Sequence, residues 1–261
     1  MRKLVAILGP PERWAPLCRE YRQIADFIFA SPVRASPNDD SGFSLFLVDL
    51  LAGRYGVLVA TCPTVIESMV DMAAKRQMLD RMKEALSRAE LIVIGERTSS
   101  SAERHGIKVS SVAPEATTDS LVEHINRRDR RGTIALLRSD QGSKRMVQGL
   151  SSSGWEVENV PVYTLLLDEG EAMQDILDRL GDGKVDMLVF PTPAHAQAFL
   201  LQLQERCGKE DALSLLTGMG VAAMGRETSE RLEGFGISVS LVPEKADALA
   251  MVKALVRHIE G

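Results

Sequence analysis

The chain has 261 residues, of which 45% are hydrophobic and 26% charged, and its formal net charge is −5 at pH 7. This composition is typical of a soluble globular protein, and the length suffices for one large domain or two lobes. The acidic balance gives no general reason to bind nucleic acid, no apolar run is long enough to span a membrane, and the start of the chain, MRKLVAILGPPERW, lacks the pattern of a signal peptide.

Short apolar runs bounded by glycine, proline or charged residues predict β-strands along the whole chain. In order they are KLVAIL, DFIFA, YGVLVAT, ELIVIG, IKVSSVAP, GTIALLR, WEVENVPVY, VDMLVF, MGVAAMG and ISVSLVP. Amphipathic stretches of helical length, such as 64–89 and 142–154, lie between them, and 31–42 is the most loop-like segment. Because the most apolar runs are continuous and alternate with helices, the sequence predicts an α/β fold with parallel sheets buried on both faces.

The chain also resembles itself at an offset of 130 residues. Residues 93–110 (VIGERTSSSAERHGIKVS) align with 223–240 (AMGRETSERLEGFGISVS), and residues 56–64 (GVLVATCPT) align with 186–194 (DMLVFPTPA). A period this long is typical of a duplicated half-protein rather than of a solenoid. The sequence therefore predicts two similar α/β lobes that arose by internal duplication.

Each predicted lobe contains two junctions at which a strand passes through small polar residues into a helix. Such junctions lie at the carboxyl ends of parallel strands, where ligands bind, and a helix N-terminus favours an anion. Gly95 and Gly225 precede one pair of helices, which Thr98 and Thr228 are expected to cap. The other pair of junctions contributes Thr61, Cys62, Thr64 and Thr192. Ordinary capping without any ligand explains the same residues, and the sequence leaves that alternative open.

Cysteine and histidine spacing predicts no metal site. Cys18, Cys62 and Cys207 lie far apart without a CxxC pair, which argues against a disulfide framework and favours a reducing cytoplasm. The four histidines show no HxxxH or HExxH spacing, and among them His195 lies next to a predicted junction.

An ordered series of motifs resembles the uroporphyrinogen-III synthase family. MLVFPTPAHAQAFL resembles the family's strand and Thr/Ser-Pro helix start, and VAAMGRETSERLEGFGISVSLVPEKAD resembles its Ile-Gly-x-x-Thr helix and Val-Pro-Glu strand end. ALLRSDQGSKRMVQGLSSSGWEVENVPVYTL resembles its strand-Arg-helix unit and Pro-Val-Tyr crossover strand. The resemblance covers nearly the whole chain and implies two α/β lobes joined by two strands. One lobe would comprise 1–33 with 164–261 and the other 34–163, with crossovers near 31–37 and 160–166.

The resemblance implies that the chain cyclises hydroxymethylbilane, a linear tetrapyrrole with eight carboxylates, and inverts its last pyrrole ring. The reaction loses the terminal hydroxyl as water, passes through an azafulvenium cation and a spiro intermediate, and needs no metal or organic cofactor. It serves porphyrin (heme), siroheme and cobalamin synthesis in the cytoplasm, and a hand-over of substrate from hydroxymethylbilane synthase is an open expectation. Neither nucleic acid nor a membrane is an expected partner, and a monomer is the simpler expectation because the duplication supplies an internal pseudo-dimer.

The resemblance also implies which residues act. Tyr163 matches the family's crossover tyrosine and is the expected catalytic residue, its phenol assisting the departure of the hydroxyl. Arg138 ends a strand where the family tends to place arginine, and it is expected to bind a carboxylate. Gly9 stands where many relatives carry a second such arginine, and Arg13 or Lys3 are candidates to replace it. The expected substrate-binding set is Thr61, Cys62, Thr64, Gly95, Thr98, Arg138, Thr192, Gly225 and Thr228.

Two other functions stay open. A non-catalytic bilobal sensor of the same fold, binding a tetrapyrrole or another anion, is the alternative, because Gly9 replaces an arginine and the junction with Pro191 and Ala194 is poor in hydroxyls. A nucleotide-binding α/β enzyme is the weaker one, since no GxGxxG or GxxxxGK[ST] motif follows a predicted strand.

Overall fold

The computed structural model describes residues 2–114, 117–129, 131–142 and 144–261. The chain divides into two compact units. The discontinuous unit comprises the chain up to Arg34 together with Leu167–Gly261, and the middle unit is Ala35–Leu166. An origin of the two units by duplication stays a prediction.

The strands and helices alternate along the chain. The strands are β1 (Lys3–Ile7), β2 (Ala25–Phe29), β3 (Val33–Pro37), β4 (Val57–Ala60), β5 (Glu90–Ile94), β6 (Ser111–Ala113), β7 (Thr133–Ser139), β8 (Glu156–Leu167), β9 (Met187–Phe190) and β10 (Gly220–Ala223). The helices are α1 (Pro11–Cys18), α2 (Ser41–Leu51), α3 (Pro63–Lys75), α4 (Leu79–Leu86), α5 (Glu96–Arg104), α6 (Thr118–Asn126), α7 (Lys144–Ser151), α8 (Glu171–Gly181), α9 (Pro193–Cys207), α10 (Lys209–Leu216), α11 (Arg226–Gly234) and α12 (Ala248–Glu260).

Each unit is built on one sheet. The sheet of the discontinuous unit has the order β10-β9-β1-β2, and all its neighbouring strands are parallel. The sheet of the middle unit has the order β3-β8-β7-β4-β5-β6, in which the pairs β8–β7, β7–β4, β4–β5 and β5–β6 are parallel. The α/β class with parallel sheets predicted from the sequence is thereby confirmed.

The continuous apolar runs are explained by burial on both faces of each sheet. Every residue of β4 and of β9 is buried. Leu58 and Val59 are neighbours in β4, yet they belong to two different apolar clusters, because successive side chains of a strand point to opposite faces. Leu188 and Val189 of β9 divide between two clusters in the same way.

Two local predictions are wrong. The loop-like segment 31–42 contains the strand β3, which pairs with β8 at the edge of the sheet, where its proline is tolerated. The same segment contains Asp40, which caps α2 by accepting hydrogen bonds from the backbone of Gly42 and Phe43, and its last two residues already belong to that helix. No strand forms over the described residues 237–243, where a single bridge joins Leu241 to β10, and the run therefore adds no full strand to the sheet.

The predicted helical stretch 64–89 is broken into α3 and α4. Gln77 has a φ of 57°, in the left-handed region that side chains with a Cβ disfavour. Its N–H donates to the carbonyl of Ala74 over 2.9 Å, and the N–H of Met78 donates to the carbonyl of Ala73 over 2.8 Å. These two bonds form a Schellman motif, in which the left-handed position is usually a glycine. An exposed glutamine therefore ends α3 at a conformational cost.

Replacing Gln77 by glycine is expected to raise the free energy of unfolding by about 1 kcal/mol, because glycine adopts this φ without a Cβ clash. Urea denaturation followed by circular dichroism would measure the change. Gln77→Ala is the matched control, since it removes the same side chain beyond Cβ but keeps the clash. An equal gain in both variants would contradict the explanation.

Candidate functional site

The carboxyl ends of four neighbouring strands lie side by side at one edge of the middle unit's sheet. Ala60, the last residue of β4, is opposite Leu137 of β7 on one side and Val93 of β5 on the other. On the far side of β7, a register shift after Arg138 places Ser139 opposite Tyr163 of β8. Because the strands are parallel, residues that follow them emerge at the same edge.

This edge holds every predicted site residue of the middle unit. The residues are Thr61, Cys62 and Thr64 after β4, Gly95 and Thr98 after β5, Arg138 at the end of β7, and Tyr163 in β8. Thr61 is tied to the neighbouring strand, since its N–H and Oγ1 donate to the carbonyl of Leu137 over 3.3 and 3.4 Å. The first turns of α3 and α5 begin here, and their N–H groups favour an anion.

Tyr163 is held among neighbouring polar side chains. Its phenolic oxygen lies 3.4 Å from Sγ of Cys62, and Ser139 is the residue opposite Tyr163 on the neighbouring strand. Cys62 occupies the N-cap position of α3, but its side chain makes no capping hydrogen bond to the helix. Burial raises the pKa of Tyr163 well above its usual value, and the Cys62 sulfur raises it further. The phenol therefore stays protonated at neutral pH and can donate a hydrogen bond.

Arg138 brings a buried positive charge to the same edge. The residue is 7% exposed, and its Nε donates to Oδ1 of Asn159 in β8. A Cβ at Gly142 would lie 2.6 Å from Cδ of Arg138, so that glycine leaves the space that the arginine fills. Desolvation lowers the pKa of Arg138, yet a guanidinium keeps its charge at neutral pH. A buried cation of this kind suits a carboxylate ligand.

The predicted capping role of the two threonines is wrong. The N-cap residues of α5 and α11 are Gly95 and Gly225, and Thr98 and Thr228 lie one turn inside, 1% and 3% exposed. The Thr98 hydroxyl donates to the carbonyl of Ile94 over 2.7 Å. Gly95, with a φ of 75°, follows β5 and is itself the N-cap residue of α5. Thr98 therefore lies inside the first turn of the helix. Any contact of these helix ends with a ligand would therefore come mainly from backbone N–H groups.

The discontinuous unit has a similar edge at the ends of β9 and β10. Phe190 is opposite Ala223, and the N–H of Met224 donates to the Phe190 carbonyl over 3.0 Å. Thr192 then caps α9, and Gly225 starts α11. The structure thus places the predicted residues Thr192, Gly225 and Thr228 at one edge of this sheet.

Gly9 follows β1 at this same edge and has no room for a side chain. A Cβ there would lie 2.4 Å from Nε1 of Trp14 and 3.1 Å from Cγ of Pro191. The Arg13 guanidinium carbon lies 5.5 Å from the centre of the Trp14 ring, a cation–π distance. Lys3 begins β1 and is therefore at the opposite end of the strand. Of the two predicted substitutes for an arginine at position 9, Arg13 alone lies near the carboxyl edge.

His195 lies in the first turn of α9, with Nδ1 2.7 Å from the Thr192 hydroxyl oxygen. Burial lowers the pKa of His195 from 6.5 to about 4, and the positive charge of Arg13 contributes to the shift. The imidazole is therefore neutral at pH 7. It adds a polar group but no charge to this edge.

The shift of His195 predicts a pH-dependent loss of stability. Between pH 6.5 and about 4 the unfolded chain binds a proton at His195 that the folded chain does not, so the free energy of unfolding falls as the pH falls through this window. We expect the free energy of unfolding of His195→Gln to fall by roughly 1–2 kcal/mol less over this window than that of the unchanged chain. The difference is kept modest because His195 is partly exposed, which weakens its desolvation. Urea denaturation at pH 4.5 and 7 would measure it, with His258→Gln on the exposed face of α12 as the control. Parallel pH profiles for His195→Gln and the unchanged chain would contradict this assignment.

Three residues of these edges were missed in the sequence. Asn159 lies within a predicted strand, where asparagine is uncommon, and that was an available signal. Trp14 is fully buried, and its Nε1 has no hydrogen-bond partner within the part of the chain that the structure describes. Ser139 gave no signal, since its contact with Tyr163 depends on the register shift in β7.

Two features are absent from the described residues. They contain no group of three or more His, Cys, Asp or Glu side chains that would hold a metal ion. None of the helices in these residues combines the length and apolar character that crossing a membrane requires.

Comparison with known proteins agrees with the motifs. The family model described as uroporphyrinogen-III synthase HemD matches residues 16–253. A uroporphyrinogen-III synthase of Chlorobaculum parvum is 26% identical over 99% of this chain and 100% of its own length. A putative uroporphyrinogen-III synthase of Methanothermobacter thermautotrophicus is 28% identical over 96% of each chain.

Solved structures share the fold. A mutant uroporphyrinogen III synthase of Thermus thermophilus superposes with a TM-score of 0.67 over 99% of both chains, at 19% identity. The enzyme of Helicobacter pylori superposes with a TM-score of 0.64 over 99% of this chain and 100% of its own, at 16% identity. Since the family model covers nearly the whole chain, the protein belongs to the uroporphyrinogen-III synthase family, whose members are cyclising enzymes of tetrapyrrole biosynthesis.

Proposed function

We propose that the chain converts hydroxymethylbilane to uroporphyrinogen III, closing the ring with inversion of the last pyrrole. One observation beyond family membership supports this reaction most directly. A protonated phenol, a buried guanidinium and two helix N-termini meet at the carboxyl edge of the middle unit's sheet, in Tyr163, Arg138, Cys62 and Gly95. This set can donate hydrogen bonds to a leaving hydroxyl and bind carboxylates.

The first step is loss of water at the terminal carbon. The carbon–oxygen bond breaks with its electron pair on oxygen. The nitrogen of the pyrrole that carries the hydroxymethyl group, at the other end of the chain from the last ring, supplies electrons to the terminal carbon and leaves an azafulvenium cation. The Tyr163 phenol donates a hydrogen bond to the departing oxygen and stabilises the charge that builds on it, and a proton from solvent completes the water that leaves. Because the pKa of Tyr163 is raised, the phenol acts as a donor and not as a phenolate base.

The later steps depend on positioning. The substituted carbon of the last ring must attack the terminal carbon to form the spiro intermediate, so the bilane has to be held curled. Arg138 and the helix N-termini at Cys62 and Gly95 of the middle unit would hold carboxylates of the bilane. Backbone N–H groups suit this task because they bind anions with partial charges and do not strongly repel the cationic intermediate.

We also propose a reducing, cytoplasmic setting for the enzyme. The described cysteines Cys18, Cys62 and Cys207 are all free thiols, as is usual in that compartment. Its product would feed heme, siroheme or cobalamin synthesis, and hydroxymethylbilane synthase would supply its substrate.

A coupled assay tests the reaction. Hydroxymethylbilane is generated in place, the protein is added, the products are oxidised, and isomers I and III are separated by chromatography. A reaction without the protein is required, because the substrate closes by itself to isomer I. Predominant isomer III supports the proposal. Isomer I alone, from protein with a cooperative melting transition, would overturn it and favour a non-catalytic sensor.

A further inference from the structure

We propose that Cys62 is a positioning residue for Tyr163. In the free enzyme its sulfur accepts a hydrogen bond from the phenol, and this contact fixes the direction of the phenolic O–H. When the substrate binds, the same O–H donates to the substrate's hydroxyl instead. This inference rests on the proposed function, in which Tyr163 faces the departing oxygen.

The contact between the two side chains is built by three elements of the middle unit. Cys62 is the N-cap residue of α3, Tyr163 lies in β8, and Ser139 at the end of β7 is opposite Tyr163. The sulfur and the phenolic oxygen are 3.4 Å apart, which is within hydrogen-bond distance for sulfur. A phenol has a single O–H to donate, so one neighbour accepts that hydrogen bond and any other neighbour can only donate to the phenolic oxygen.

The two groups of this contact differ in donor strength. A phenolic O–H is a stronger donor than a thiol S–H, so at 3.4 Å we expect the phenol to donate and the sulfur to accept. Burial and the neighbouring sulfur both raise the pKa of Tyr163, so the proton stays on the phenol at neutral pH.

Sulfur is well suited to hold a proton that must be released to a substrate. It is a weak hydrogen-bond acceptor, so an incoming hydroxyl oxygen out-competes it. Serine, threonine or asparagine at a helix N-cap would instead bond to the helix N–H groups. Cys62 makes no such bond, and its sulfur is left to the phenol.

A double-mutant cycle tests whether Cys62 acts through Tyr163. We expect Cys62→Ala to lower kcat for isomer III about five- to tenfold with KM within about twofold, a coupling of ordinary size for side chains in contact. Added to Tyr163→Phe, the same substitution should cause no further loss. Cys207→Ala, in α9 of the discontinuous unit, is the matched control and should leave kcat unchanged. An unchanged kcat for Cys62→Ala, or an equal loss in both backgrounds, would overturn the inference.

Thiol reactivity gives a readout that needs no catalysis. In a Cys207→Ala background Cys62 is the cysteine left to react, because Cys18 is buried and burial raises the pKa of Cys18 to about 12. Iodoacetamide alkylates the sulfur anion, forming a carbon–sulfur bond as iodide leaves, and a donated hydrogen bond stabilises that anion. We expect Tyr163→Phe, which keeps the ring, to slow alkylation at pH 8 severalfold. An unchanged rate would overturn the inference.

The two experiments separate failure of this inference from failure of the proposed function. Isomer I alone from the unchanged chain would defeat the function, and the alkylation rate would still decide the contact. Isomer III with an unaffected Cys62→Ala variant would defeat the positioning role alone. If Tyr163→Phe leaves no measurable activity, or Cys62→Ala does not fold, the alkylation rate decides.

Discussion

Replacing Tyr163 by phenylalanine is expected to lower kcat for isomer III about 100-fold. The substitution keeps the ring and removes only the phenolic hydroxyl that lies 3.4 Å from the Cys62 sulfur. Assistance to a leaving group by a positioned donor contributes factors of roughly 10² to 10⁴, and a phenol with a raised pKa acts at the lower end. The coupled assay, read as the rate of isomer III above the protein-free background, measures the loss.

The control for this variant is Tyr55→Phe in the same unit. Tyr55 is 3% exposed and donates to Oε1 of Glu158 over 2.7 Å, but it precedes β4 and so lies at the amino end of that strand. Removing the Tyr55 hydroxyl should lower the free energy of unfolding by about 1 kcal/mol and leave kcat unchanged. Isomer III formed by Tyr163→Phe at a rate within twofold of the unchanged chain would remove Tyr163 from the mechanism.

Replacing Arg138 by leucine is expected to lower kcat/KM about 10- to 100-fold, mainly through KM. A hydrogen bond to a charged group is worth roughly 1.5–3 kcal/mol, and the substitution removes the buried cation proposed to bind a substrate carboxylate. It also leaves Oδ1 of Asn159 without the Nε donor. Steady-state kinetics in the coupled assay would give kcat and KM separately.

Arg138→Lys separates charge from geometry. It keeps a positive charge but lacks the planar fork that meets both a carboxylate and Asn159, so we expect an intermediate loss. Arg179→Ala, which removes an exposed arginine paired with Asp175 on α8, is the surface control. If Arg138→Leu raised KM no more than Arg179→Ala does, Arg138 would have no role in binding.

The sequence predicted those features that depend on local pattern. Continuous apolar runs required burial on both faces, and β4, with Leu58 and Val59 in different clusters, has that environment. Strand-to-helix junctions of parallel strands emerge at one edge, so the grouping of Thr61, Gly95 and Arg138 followed from the predicted fold class.

Other features depend on register and could not be predicted from pattern. The approach of Cys62 to Tyr163 requires the irregularity after Arg138, which sets Ser139 opposite Tyr163. A one-residue shift of this kind leaves no periodic trace in the sequence. The left-handed Gln77 is a similar case, because a glutamine gives no sign that a helix ends there.

Because Gly9 lies so close to Trp14, a larger residue at position 9 requires a change at position 14 as well. The indole that excludes any side chain at position 9 is also the surface on which Arg13 stacks. An arginine at position 9 is compatible with this backbone only if a smaller residue stands at position 14, and that exchange would remove the ring from under Arg13. Within this fold the positive charge next to β1 is therefore held either at position 9 or at position 13, and a move from one to the other takes at least two coupled changes.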